Sequence, residues 1–245
     1  MFKKCHVLVF TVCTVLTTSA HAQFGLSKLP LGKKGGAGDP TQTFTQCNGL
    51  VKYVTVATDQ GVQAMDELAK AFPPEKVADF AELSKKYHEL QTNRKDGNID
   101  VQGVQMASQM GAEWDKIASD WQSYNKESAQ SVRNADHRLA LMALADGVAG
   151  TKVPETIKSV QSSVESLIHD PLQVGKVGEL KAYVQLFTVI GQELPKQIKS
   201  ANNVRSIAKQ IATAEKLTLL PDPPASSVSD VATITSNAQD LPSGQ

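Results

Sequence analysis

From residue 44 to residue 220 the apolar side chains return every three or four positions and hardly ever alternate. A half-buried strand needs a period of two, whereas a period near 3.6 gathers side chains on one face of an α-helix. The first stripe, Cys47, Leu50, Val51, Val54, Thr58, Val62, Met65, Leu68 and Phe72, predicts a helix that ends at Pro73-Pro74. The Val and Thr residues of KYVTVAT favour a strand by propensity, but the helical spacing continues through them and decides for helix. Pro74 is placed to open a second helix, to about residue 91, that carries Val77, Phe80, Tyr87 and Leu90. NRKDGNID then reads as a turn in which Asn98 or Asp100 caps the next helix.

From Val101 to Asp146 the stripe has no proline, which predicts one long helix of about 65 to 70 Å at 1.5 Å per residue. Its polar middle, QSYNKESAQSVRNAD, marks Asn125 as the place where it would break, and Gly147 and Gly150 are expected to end it. Pro154 starts a further helix, Asp170-Pro171 caps another that is kinked or interrupted at Pro195, and Asn202-Asn203 caps a last one reaching Leu217. Each helix is apolar on one side only and must bury that side against its neighbours. The predicted fold is all-α: an elongated antiparallel bundle of five or six helices with one long central helix, forming a single domain over residues 41–220. Residues 221–245, rich in Pro, Ser and Asp without helical period, are predicted to be a disordered tail.

The N-terminus has the three parts of a secretory signal peptide: Lys3-Lys4, an apolar run from Val7 to Leu16, and small residues at Ala20 and Ala22. The run is shorter than the roughly 20 residues of a membrane span. Cleavage between Ala22 and Gln23 would send the chain to the periplasm or outside the cell, with residues 23–40 as a flexible Gly/Lys leader. Removing 22 of 245 residues leaves 223, with 23 basic against 25 acidic side chains once Lys3 and Lys4 are gone. That near balance gives no electrostatic ground for a nucleic-acid partner, and only weak ground for membrane contact. Cys5 and Cys13 depart with the signal peptide. Cys47 alone cannot form an internal disulfide, so stability rests on core packing.

Motifs for chemistry are weak. Gly32-Lys33 is followed by Lys34 rather than a hydroxyl residue and lacks the strand and spacing of a phosphate loop. Asp96, Asn98 and Asp100 match the first three ligand positions of a calcium loop, but its glycine and glutamate positions hold Val101 and Ala107. His88, His137 and His169 stand apart from one another and from any cysteine pair, and Asp136-His137-Arg138 reads as a charged helical surface. Cys47 lies on an apolar stripe, as a small buried residue does, and no GxSxG occurs. The sequence therefore predicts no catalytic residue, cofactor or metal ligand. Trp114 and Trp121, seven residues apart and so on one helical face, are expected first as core anchors. With Tyr124 they are also the first place to look for a ligand or partner surface.

The expected function is that of an exported, non-enzymatic helical protein: a protein-binding, structural or chaperone-like module of the bacterial cell envelope. Two alternatives stand beside it. One is a secreted protein that inserts into membranes through LALMALADGVAG (139–150) and AYVQLFTVIG (182–191), although neither reaches spanning length and Asp146 interrupts the first. The other is a small-ligand carrier with a cleft near the two tryptophans.

Overall fold

The computed structural model describes residues 39–126, 131–169, 174–239 and 241. The signal peptide, most of the leader and the Asp170-Pro171 step lie outside these. Helix α1 (Pro40–Ala69) opens with Pro40 in its first turn while the Asp39 carboxylate accepts the Thr41 amide at 2.9 Å. It ends before Pro73, and a 3-10 turn (Pro74–Lys76) leads into α2 (Ala78–Thr92). KYVTVAT lies wholly within α1. Helix α3 (Val101–Ile117) is capped by Asp100, which accepts the Gly103 amide at 2.8 Å. Before it, Asp96 and Gly97 both take positive φ, the latter at 68°, which reverses the chain.

The long helix expected over Val101–Asp146 does not form. Helix α3 stops at Ile117, a 3-10 segment (Ala118–Ser123) follows, Tyr124 is extended, and α4 spans Ser131–Ile168. The long helices are instead α4 (Ser131–Ile168, 38 residues) and α5 (Val174–Ala214, 41 residues). Helix α4 runs through Gly147, Gly150 and Pro154, and α5 runs through Pro195 and Asn202-Asn203. Both prolines, with Gly150 and Gly191 four residues before them, lie on the water side of their helices. There a freed carbonyl meets solvent, so the lost backbone bond costs less than it would in the core.

The predicted tail is also corrected. Residues 225–228 form a 3-10 turn and Val231–Gln239 forms a sixth helix, α6, whose Asp230 cap accepts the Thr233 amide at 2.8 Å. This strap buries Val228, Ile234 and Ala238 against α1 and α4, and the Tyr53 hydroxyl donates to the Val228 carbonyl at 2.7 Å. Burial of a few apolar residues at helical spacing outweighs the Pro/Ser-rich composition around them.

Side-chain contacts fix the directions. Thr43 meets Ser163 at 2.7 Å and Gly61 lies against Met142, so α1 and α4 are antiparallel. Arg205–Asp136 at 3.1 Å and Gly191 against Val153 set α5 antiparallel to α4. Gln197 donates to Val104, Gly111 faces Ser200 and Asn203 donates to Asp115, so α3 runs parallel to α5. At Gly111 the backbones come so close that a Cβ would stand 2.7 Å from the Ser200 Cβ. The α4–α5 and α1–α4 pairs make the most extensive contacts, with α2 and α3 packed on one end and the strap near the other. Two apolar clusters fill the interior. One holds Trp114, Phe72, Phe80, Met110 and Ile207; the other holds Tyr53, Leu141, Leu180, Phe187 and the strap.

Candidate functional site

The break after Ile117 separates the residues that helical spacing had placed on one face. Trp114, still on α3, is fully buried, with Phe72 and Phe80 edge-on at 5.6 and 5.4 Å. These contacts are those of a core anchor. Trp121 lies in the 3-10 segment, half-buried, and stacks on Tyr124 with ring centroids 6.3 Å apart and planes 10° from parallel. The Tyr124 hydroxyl donates to Glu215 just beyond α5, and the Asn125 amide to the Ala71 carbonyl at 2.6 Å. The Trp121–Tyr124 pair thus sits where the ends of α1, α3 and α5 meet.

Beside it, a cleft of about 370 Å³ opens between the start of α2 and the end of α3. Phe80 and Ile117 supply its apolar lining; Glu75, Asp79, Glu113, Asp120, Lys76 and Lys116 supply charge. Lys76 pairs with Asp120 across it, and Lys116 with Glu113 at 2.7 Å. Phe80 touches Trp114, so the buried tryptophan senses the cleft through one ring.

The residues weighed for chemistry have other occupations. Cys47 is fully buried, and burial pushes its thiol up to about 12, far from the thiolate a nucleophile needs. His88 bridges Asp66 at 2.8 Å and Gln91 at 3.1 Å. Burial pulls its pKa down, but those hydrogen bonds and the Asp66 and Asp59 charges outweigh it and leave the imidazole above its ordinary value. His137 is lowered, chiefly by burial, and its ring meets the Pro221 carbonyl at 3.2 Å. His169 is exposed. Asp136-His137-Arg138 is not a charged surface. Asp136 is 1 % exposed and bound to Arg205, and Arg138 reaches Gln60 and Glu67 on α1. Asp100 of the calcium-like turn spends its carboxylate on the cap of α3. Among the described residues no group of three or more His, Cys, Asp or Glu side chains is arranged to hold a metal ion.

The segments considered for membrane insertion lie within α4 and α5, and no helix among the described residues is long and apolar enough to cross a membrane. The polar groups that periodicity does not single out as paired are the ones that matter for structure. Arg94 donates to Asp59 at 2.8 and 2.9 Å and to the Tyr87 hydroxyl at 2.7 Å. Asp146 is fully buried with neither carboxyl oxygen hydrogen-bonded among the described residues. In the sequence it stood out only as the interruption of an apolar run. No protein-family model, curated protein or solved structure matches the chain.

Proposed function

We propose that this chain is an exported, non-catalytic helical protein of the cell envelope that binds another protein and acts as a structural or chaperone-like module. The observation that carries the proposal is that Cys47 is fully buried while His88 bonds to Asp66 and Gln91 and His137 meets the Pro221 carbonyl, so these candidate nucleophile and bases have separate partners and no shared site. The signal-peptide pattern of residues 1–22 supports export. The half-buried Trp121–Tyr124 pair at the α3 end is the proposed docking point, since stacked aromatics with one wet edge are enriched at protein interfaces. Crosslinking from position 121 or 124 in the native cell envelope, followed by mass spectrometry, is expected to recover a discrete protein partner. Recovery of none, together with turnover of a small molecule by the purified chain, would overturn the proposal.

The cleft favours a second function, the carriage of a small polar ligand with both charge signs, matched to the mixed carboxylate and ammonium lining. Because Phe80 contacts Trp114, occupancy should shift tryptophan emission, and a flat emission spectrum across a set of zwitterionic metabolites would remove this alternative.

A further inference from the structure

Ile168, at the end of α4, is 56 % exposed and is the exposed large apolar side chain among the described residues. One turn back, Val164 faces Val184 of α5 across an open groove of about 620 Å³ on the outside of the helix pair. Glu165 and Lys181 stand on its two lips, and the groove is lined from α4 and α5 alone. Two turns beyond Val164, half-buried Ile157 continues the same α4 face. The inner side of the pair is taken by α1, through Thr43–Ser163 at 2.7 Å and Phe44 edge-on to Tyr183 at 6.2 Å.

The chain reaches the bundle at this same end. The Thr43–Ser163 contact and the antiparallel course of α1 and α4 put Asp39, the first described residue, level with the last turn of α4. Ahead of it in the sequence stands the spacer GKKGGAG (32–38), and ahead of that FGLSKLPL (24–31), with Phe24, Leu26, Leu29 and Leu31 apolar. Gly25 and Pro30 work against a helix there and suit an extended segment. A spacer of this length spans up to about 23 to 25 Å and a helix is about 10 to 12 Å across, so 24–31 can pass around one helix to the groove. Lys28, set among the apolar residues, matches the charge of Glu165, which stands on α4 among Val164 and Ile168. We propose that residues 24–31 fold back and fill the α4–α5 groove, with their apolar side chains over Val164, Val184 and Ile168 and with Lys28 beside Glu165.

Photo-crosslinking of the full chain tests this. With a photo-reactive phenylalanine analogue in place of Leu29, crosslinks within one chain are expected to concentrate on 157–168 and 181–188. Crosslinks scattered over the bundle, as a loose tether gives, overturn the proposal. So do crosslinks between two copies, which would make a second chain the occupant. Hydrogen–deuterium exchange gives an independent readout. Joint replacement Leu26→Asp and Leu29→Asp is expected to lower amide protection over 157–168 and 181–188 about threefold or more, while α2 and α3 hold. Glu165→Lys, which sets like charges together, should lower it in the same two stretches by less. Unchanged protection in the Leu26/Leu29 variant overturns the docking, as does a loss spread evenly over all helices.

Discussion

The end of the bundle around Trp114 and the end around Phe187 bury similar sets of apolar side chains, yet they treat polar groups in opposite ways. At the Trp114 end, ion pairs join separate elements: Arg94–Asp59, His88–Asp66, Arg138–Glu67 and Arg205–Asp136. At the Phe187 end, the ion pairs among the described residues, Lys152–Glu155 and Lys196–Glu193, each stay within one helix. Neutral hydrogen bonds such as Thr43–Ser163 and Tyr53–Val228 tie the elements there. Asp146, at the border of the two clusters, has the burial of the first kind of site and the partners of neither. A buried charge stabilises or destabilises according to whether a partner was buried with it, and this molecule contains both cases within one helix.

The largest expected effect falls at the bolted end. Trp114→Ala removes a fully buried ring with two aromatic neighbours and should cost about 3 to 5 kcal/mol in denaturant unfolding. A loss below about 1.5 kcal/mol would mean that this cluster is not a close-packed core. Next comes Arg94→Met, which strands the largely buried Asp59 and should cost about 3 kcal/mol, while the same substitution at exposed Lys85 should cost almost nothing. Equal effects at the two positions would erase the contrast drawn above.

Asp146→Leu should act in the opposite direction, raising stability by about 1 to 3 kcal/mol at pH 8. The sign follows from linkage. A folded-state pKa raised above the unfolded value near 3.8 means that the native chain holds the extra proton, so stability falls as pH rises through that interval. The gain should therefore shrink towards pH 4, and a variant equally stabilised at both pH values would break the argument. The smallest effect is at His88. Its raised pKa makes the Asp66 contact stabilising below the ordinary value of 6.5, with loss as pH climbs through the folded value. Being nearly half exposed, the pair should contribute under about 1 kcal/mol, so His88→Gln should destabilise at pH 5.5 and be close to silent at pH 8.5.

Helical faces were legible because burial repeats with the helix. Cys47, Leu50, Val54 and Leu68 line the interior where the stripe puts them, and Asp100 caps where the turn residues indicate. Boundaries were less so, since Pro154, Pro195, Gly147 and Gly150 read as stops in sequence but occupy positions where water meets the freed backbone. The strap was hidden for the converse reason. Val228, Val231, Ile234 and Ala238 do recur at helical spacing, but over too short a stretch to stand out among prolines and serines, and their helix depends on the surface of α1. At the candidate site, Trp121 and Tyr124 were legible as neighbours, but the end of α3 at Ile117 parts them from Trp114. Ion pairs such as Arg94–Asp59, 35 residues apart, leave no periodic trace, since each requires the fold that brings it together.

The two internal prolines also govern how the bundle bends. Each withholds one rung of backbone bonding, so compliance in α4 gathers near Gly150–Pro154 and in α5 near Gly191–Pro195. The antiparallel register sets Gly191 against Val153, so the two joints lie side by side at one level of the α4–α5 pair. Compliance in the pair is therefore gathered at one shared level, and the lengths of α4 and α5 on either side of it carry unbroken backbone bonding.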